Sequence, residues 1–401
     1  MRIAFKRWVS RLAGPPLFAC LLPFVFLHRY RRGNSDRPRL FFGATSIFIL
    51  PQLAQTLRKK GYIAHCGAVA DIGFAVPPGF ERVVRYSASS RTIVRYFLGT
   101  LEAMAAFVWA LGRYDIFHHY MDGGFLRRTP LQLWEVRLLK LAGKKVVLFP
   151  YGSDAWALER VPDPDLRAAL AADYPWLEQE SASIARRLDI FCAQANVVVG
   201  CLVHNMVLPR CDRLMLTCYG VETDELVAQP LVGQHGPLRV FHAPNHKHFK
   251  GTGILVDAVQ QLRNEGVPIE LDLAQRLPRQ EVLLRMRRAH VVVDQLLCGY
   301  GMTALEGMAL GRIVISGVNW PETLEPFLSM ESFKECPIHW ASPKSITDVL
   351  RFIEKNREQW SFWAEQSRAF VTKYHSLETT ADNWVALHAE LGYAAPASAR
   401  S

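Results

Sequence analysis

With 401 residues, half of them hydrophobic and about a fifth charged, the chain has material for more than one domain and is not a disordered polymer. Its formal charge of +10 favours an anionic partner: a phosphorylated substrate, an anionic membrane or nucleic acid. No zinc finger, RNP motif or basic tail is present, which makes nucleic acid the weakest of these.

The N-terminal segment, 1–38, stands apart. Pro15 to Leu27 is almost wholly apolar, with Lys6, Arg7 and Arg11 before it and Arg29, Arg31 and Arg32 after it. A spanning helix needs about 20 apolar residues. This run is shorter and carries Pro15, Pro16 and Pro23, and the basic stretch after it does not look like a signal-peptide cleavage site. Two readings stay open: a segment lying in the interface of an anionic membrane, or an arm packed on the protein's own surface. A second apolar stretch, Tyr96 to Leu111, contains Glu102 and reads as a buried helix.

From Arg39 onward, short apolar runs alternate with amphipathic segments. Leu40 to Phe42 reads as a strand, followed by a helical stretch ending at Gly61. Tyr114–His118 is the next strand, Leu131–Leu141 a helix stopped by Gly143, and Val146–Phe149 a strand leading into Tyr151-Gly152-Ser153-Asp154. Val197–Val199 and Leu214–Leu216 follow. Near-continuous apolar strands separated by helices indicate a parallel sheet covered on both faces. After a Gly- and Pro-containing linker, Tyr219–Pro237, the pattern restarts. Leu238–Phe241, Ile269–Leu273, Val291–Val293 and Ile313–Ile315 are strands; Ile254–Leu262, Gln280–Arg288 and Met302–Leu310 are helices. Leu377, Ala381, Trp384, Leu387 and Leu391 recur at helical spacing, an apolar stripe able to pack back on the first domain. The expected fold is therefore α/β: two Rossmann-like doubly wound parallel-sheet domains with a cleft between them. The expected boundaries are 39–222, 223–372 and a returning helix at 373–401.

The eight cysteines form no CxxC pair and match no metal site; buried free thiols in a reducing compartment are expected.

The most informative stretch runs from Asp294 to Gly311, a strand, a glycine-containing loop and a helix. Gly299 and Gly301 allow a tight turn and close backbone approach to a ligand. The helix start at Gly301-Met302-Thr303 offers free N–H groups and a positive dipole end, which suit a diphosphate. Glu306, one turn in, is placed to accept hydrogen bonds from a ribose, while Ala304, Met308 and Ala309 face the sheet. The alternative is an ordinary α/β turn with Glu306 solvated.

The segment Gly-Tyr-Gly-Met-Thr-Ala-Leu-Glu-Gly-Met-Ala-Leu-Gly, Gly299 to Gly311, resembles the donor-site signature of glycosyltransferase family 4, whose fold is GT-B. The resemblance implies that Glu306 binds the nucleotide ribose. His242 to Thr252 resembles the family's loop ending in Lys-Gly, which puts Lys250 on the donor diphosphate; Lys247 is a further candidate for a phosphate. Two departures stand out. The family's first glutamate falls on Cys298, with Asp294 as a nearby substitute, and its arginine falls on Asn245. His246 and His248 are expected at the surface. Weaker matches lie upstream: Asp115 to His119 resembles the family's Asp-x-x-His strand end, and Phe149 to Asp154 its strand-end loop.

Strand ends of open α/β sheets hold ligands. His118 and Asp154 are accordingly the candidate catalytic residues, Asp154 also as the N-cap of a helix starting at Ala155, whereas His119 is expected to pack or cap. Arg127, Arg128, Arg137, Lys140, Lys144 and Lys145 read as solvated charges or, with the N-terminal segment, as an anionic-membrane contact. The resemblance implies a glycosyltransferase of cell-surface polysaccharide biosynthesis. It would take a nucleotide-sugar donor to a glycan or lipid-linked acceptor, retain anomeric configuration, need no metal or cofactor, and lie in the cytoplasm or on the inner face of the membrane. The alternatives are a catalytically silent nucleotide- or partner-binding protein and a nucleotide-sugar epimerase.

Overall fold

The computed structural model describes residues 2–29, 37–71, 75–86, 93–231 and 235–393, with the side chains of 2–11 and 93–95 outside the described set. The first domain holds seven strands: β1 (Leu40–Gly43), β2 (Ala64–Asp71), β3 (Arg82–Tyr86), β4 (Ile116–Tyr120), β5 (Lys145–Phe149), β6 (Val197–Cys201) and β7 (Arg213–Met215). They form one parallel sheet in the order β3-β2-β1-β4-β5-β6-β7. Reversal of direction beside β1 is the doubly wound pattern, and it opens a crevice at the carboxyl ends of β1 and β4.

Helices cover both faces. α1 (Arg2–Arg29), α3 (Ile93–Leu111), α4 (Glu135–Leu141), α5 (Pro164–Asp173) and α6 (Leu177–Gln194) lie on one side, and α2 (Ile49–Lys59) on the other. The second domain restarts with β8 (Leu238–His242), α7 (Thr252–Asn264), β9 (Ile269–Leu273), α8 (Arg279–Met286) and β10 (Val291–Val293). It continues through β11 (Cys298–Gly299), α9 (Met302–Ala309), β12 (Ile313–Val318), α10 (Glu331–Lys334), β13 (His339–Trp340) and α11 (Ile346–Lys355). Its sheet runs β11-β12-β10-β8-β9, with β13 also on β12 and only β11 antiparallel.

Two helices close the chain. α12 (Trp360–His375) packs Phe370 and Val371 into the core of the second domain. After a turn at Ser376, whose hydroxyl accepts from the Thr379 amide as an N-cap, α13 (Leu377–Glu390) packs Ala381, Trp384, Val385 and Leu387 against Leu40, Phe42 and Phe149 of the first. The same face of that sheet receives Leu50, Leu53, Ala54 and Leu57 of α2, spaced to form one apolar stripe. Linker residue Val221 bridges Ser376, so both chain crossings between domains run side by side.

α1 packs along the protein's own surface, one of the two arrangements left open by the sequence, although its prolines do not interrupt it. The helix runs through all three prolines, and Leu12–Arg29 is by length and composition enough to cross a membrane. Yet Leu21 and Val25 are buried in the same core as Ala103 and Phe107 of α3, while Phe18 stacks at 4.7 Å on Trp134. α1 therefore lies along the first domain. α3 is buried as expected along one face, through Ala103, Ala106, Phe107 and Ala110, while Phe97, Leu98 and Leu101 on the other are exposed.

Candidate functional site

The site is built where β8 and β10 end. His242, the last residue of β8, is wholly buried: its Nδ1 faces the Val293 carbonyl oxygen at 2.8 Å and its Nε2 the Thr252 hydroxyl at 2.9 Å. That clamp fixes the loop from β8 to α7. Gly251 takes a left-handed φ of 73° beside the Leu296 side chain, which turns the chain so that Lys250 points inward. Lys250 is 8% exposed, and its Nζ lies 2.6 Å from Asp294 Oδ1. It does not face solvent.

Asp294 follows β10 and is fully buried. Its second oxygen, Oδ2, accepts from the Gly301 amide at 2.6 Å, at the start of α9. One carboxylate thus joins the cation and the helix end that the sequence assigns to a diphosphate. Both oxygens of Asp294, the substitute that the sequence offers for a glutamate at Cys298, are engaged by these two partners. Cys298 is buried, and burial carries its thiol well above the usual range.

Within α9, Ala304, Met308 and Ala309 are fully buried on the sheet side, while Met302 and Thr303 are half-buried. Glu306 is 7% exposed, and its Oε1 accepts from Arg279 of α8 at 2.8 Å. Burial raises the Glu306 carboxyl pKa, and Arg279 partly restrains the rise. Arg279 also stands 5.5 Å over the Phe48 ring, which precedes α2 in the first domain. It therefore spans the cleft, and the sequence reading missed it. It reaches Glu306 across the β9–α8 crossover, a separation with no local signal.

Gly299 serves a different approach from the one expected. Its φ is 73°, and a Cβ there would lie 2.9 Å from the Leu202 side chain of the first domain. The close contact at this glycine is between domains. Lys247 is exposed, as is Asn245. His248 lies at the surface as expected, its Nδ1 2.7 Å from Asp173 Oδ1, whereas His246 is half-buried and packs at 4.4 Å on the Tyr174 ring.

Across the cleft, His118 is corrected. It is fully buried beneath α13, stacked at 4.3 Å on Phe42, with Nε2 2.8 Å from Nε2 of His388. Residues of β4 alternate between sheet faces, and 118 falls on the face that the returning helix covers. Burial and the neighbouring imidazole push its pKa well down. It does not reach the cleft. His119 packs as expected, its Nδ1 2.9 Å from the Gly43 carbonyl oxygen.

Asp154 is buried and caps no helix, for it sits in a turn at 153–155 and the next helical turn starts only at Leu158. Its Oδ1 accepts from the Tyr151 and Gly152 amides and its Oδ2 from Met121, so it ties the β5 loop to the end of β4. Burial and the nearby Asp122 raise its carboxyl to about 7. Just past the carboxyl ends of β1, β4 and β5, Asp122, Arg127, Thr45 and Tyr151 form a polar cluster. Arg127 Nη2 pairs with Asp122 Oδ2 at 2.8 Å and Nη1 bonds the Thr45 hydroxyl; the Tyr151 hydroxyl lies 3.4 Å from Asp122 Oδ2. Arg127 and Arg128 are ion-paired, to Asp122 and Asp71, and Lys144 is buried near Asp115, whereas Arg137 and Lys140 are exposed. Among the described residues, no group of three or more His, Cys, Asp or Glu side chains is arranged to hold a metal.

No family profile and no curated protein matches the sequence. Solved structures do match. The chain is similar to the sucrose-phosphate synthase of Thermosynechococcus elongatus at 14% identity and a TM-score of 0.60, over 88% of this chain and 99% of that one. It is similar to HepE of Anabaena, solved with UDP-glucose, at 12% identity and a TM-score of 0.55, over 88% and 100%. A glycosyltransferase of Rickettsia africae matches at 12% identity and a TM-score of 0.52, over 88% and 97%. What these chains share with this one is architecture: two Rossmann-like parallel-sheet domains, the GT-B fold of glycosyltransferases.

Proposed function

We propose that the chain is a glycosyltransferase moving a sugar from a nucleoside diphosphate sugar to a hydroxyl of a glycan or lipid-linked acceptor, with retention and without a metal ion. The observation that carries this reading is the convergence, at the ends of β8 and β10, of Lys250, the amide end of α9 and the buried Glu306 carboxylate. HepE, of the same fold, is solved with UDP-glucose, which supports a nucleoside diphosphate sugar as the donor here.

In this reading Lys250 and the start of α9 stabilise charge on the departing diphosphate. The phosphates displace Asp294 from both. Arg279 leaves Glu306 for the diphosphate, taking the place of the arginine missing at Asn245, and Glu306 then accepts from the ribose hydroxyls. The acceptor hydroxyl enters beside Asp122, Arg127 and Tyr151, while Asp154 positions their loop. In this reading the product enters a cell-surface polysaccharide, and the enzyme works in the cytoplasm at the inner face of the membrane.

Thermal shift and calorimetry with UDP, GDP, ADP, CDP and dTDP test the donor half. One nucleotide is expected to raise the melting temperature, because binding to the folded state alone stabilises it. Glu306→Gln is expected to weaken that ligand roughly 10- to 100-fold, since hydrogen bonds to a charged acceptor are worth about 1.5–3 kcal/mol. If no nucleotide binds, the reading is wrong. A second reading, a catalytically silent nucleotide-binding protein, is favoured by one observation: Asp294 already holds both phosphate-facing groups. Donor binding with neither transfer to an acceptor extract nor donor hydrolysis would select it.

A further inference from the structure

We propose that α1 and α3 together form a docking face for an anionic lipid bilayer. Both helices use one stripe to join the first domain. In α1 that stripe includes Leu21 and Val25, and in α3 Ala103, Ala106, Phe107 and Ala110, all in one core. The helices pack against each other, and the His28 ring at the end of α1 lies against Gly112 just beyond α3. Their other stripes carry large apolar side chains that are exposed among the described residues. Leu12, Phe24 and Leu27 of α1 and Phe97, Leu98 and Leu101 of α3 are 45% to 59% exposed.

Such a concentration on adjacent helices marks an interaction surface. The charge names the partner. α1 contains Arg2, Lys6, Arg7, Arg11 and Arg29 and no acidic residue; α3 adds Arg95 and Glu102, which cancel. A basic, apolar-faced pair suits acyl chains bordered by anionic headgroups. Leu21 and Val25 stay in the core, so α1 lies in the interface and does not cross. Only 17% of the Leu12–Arg29 window is buried within the protein, leaving most of its surface for lipid. That the bilayer also supplies the acceptor rests on the glycosyltransferase reading; the docking face does not.

The test is flotation of the full chain with vesicles of phosphatidylglycerol or phosphatidylcholine. The wild type is expected to bind phosphatidylglycerol at least ~10-fold better, each basic residue near an anionic leaflet adding roughly five-fold, and to dissociate as salt rises. Leu98→Ser with Leu101→Ser, and separately Phe24→Ser with Leu27→Ser, are each expected to cut partitioning ~10-fold or more through lost apolar burial. Melting curves identify any variant that fails to fold, and the other then decides. Wild-type-like flotation of a folded variant overturns the proposal, as does a wild type that ignores vesicles. A wild-type dimer in light scattering that either pair of substitutions splits into monomers assigns the face to a second copy and overturns it equally. Vesicle binding without any nucleotide binding would reject the glycosyltransferase reading alone.

Discussion

Both carboxylate oxygens of Asp294 are engaged, one by Lys250 and one by the Gly301 amide, and all three groups lie where a diphosphate would be gripped. A carboxylate there has opposing effects. It offsets the cost of burying Lys250, since removing one partner of a buried pair costs about 3–5 kcal/mol. It also repels an incoming phosphate. Asp294→Asn keeps an oxygen for the Gly301 amide and drops the charge. Tighter binding of the nucleoside diphosphate, by roughly 10-fold or about 1.4 kcal/mol, is the expected calorimetric result, together with a lower melting temperature. Weaker binding would show instead that Asp294 serves to aim Lys250. A titration belongs to this scale too. Burial pushes the Glu135 carboxyl from 4.5 to about 7, against the restraint of the Leu126 and Gly124 amides. The folded chain then holds the extra proton between pH 4.5 and 7, so stability falls as pH rises through that window. Glu135→Gln should flatten the decline of melting temperature between pH 5 and 7; an unchanged slope would place the titration elsewhere.

Trp384 shows what an element at the far end of the chain does for the first domain. It is fully buried, 5.0 Å from the Phe149 ring and 5.4 Å from His118, although the sheet it covers ended more than 160 residues earlier. Trp384→Ala is expected to cost about 3–5 kcal/mol, read as earlier unfolding of the first domain in a denaturant titration. A loss under about 1 kcal/mol would mean that the site collapses around the gap. The stripe Leu377–Leu391 was legible because its period is that of a helix. So were β1, β4, β5, β8, β10 and β12, whose apolar runs need no tertiary context, and β9, whose apolar residues alternate strictly with polar ones. β2 and β3 were not: Ala64–Asp71 contains His65, Gly67 and Asp71, and Arg82–Tyr86 has Arg at two positions, so neither shows a continuous apolar run. The role of His118 was misread for a related reason. Its place at a strand end was legible, but which face α13 would cover is decided by the returning chain. Lys250 and Glu306 lie in local motifs, so the sequence alone offers them as candidates; Arg279 and Asp122 meet their partners only through crossovers.

At the scale of the molecule the question is what holds the two domains in register over the cleft. Asp173, the last residue of α5, accepts from the His248 and Phe249 amides at 3.0 and 2.9 Å and meets the His248 ring at 2.7 Å. Asn319 donates to Asp163 and Asp165 at 3.1 Å, and Leu202 abuts Gly299. A carboxylate at a helix C-terminus faces the negative dipole end, so Asp173 is poorly placed within its own domain and gains its partners only across the cleft. Those partners include the loop that ends in Lys250, hence the contact also fixes how that lysine enters the site. Asp173→Ala leaves two amides of the loop without their acceptor, a loss of about 1–3 kcal/mol. Each 1.4 kcal/mol of it moves an open–closed equilibrium about tenfold. The expected result is a larger radius of gyration in small-angle scattering and faster proteolysis within the Tyr219–Pro237 linker, with the melting of the first domain unchanged. A scattering curve identical to wild type would assign the register to Leu202 and the paired crossings at Val221 and Ser376, contacts that this substitution leaves in place.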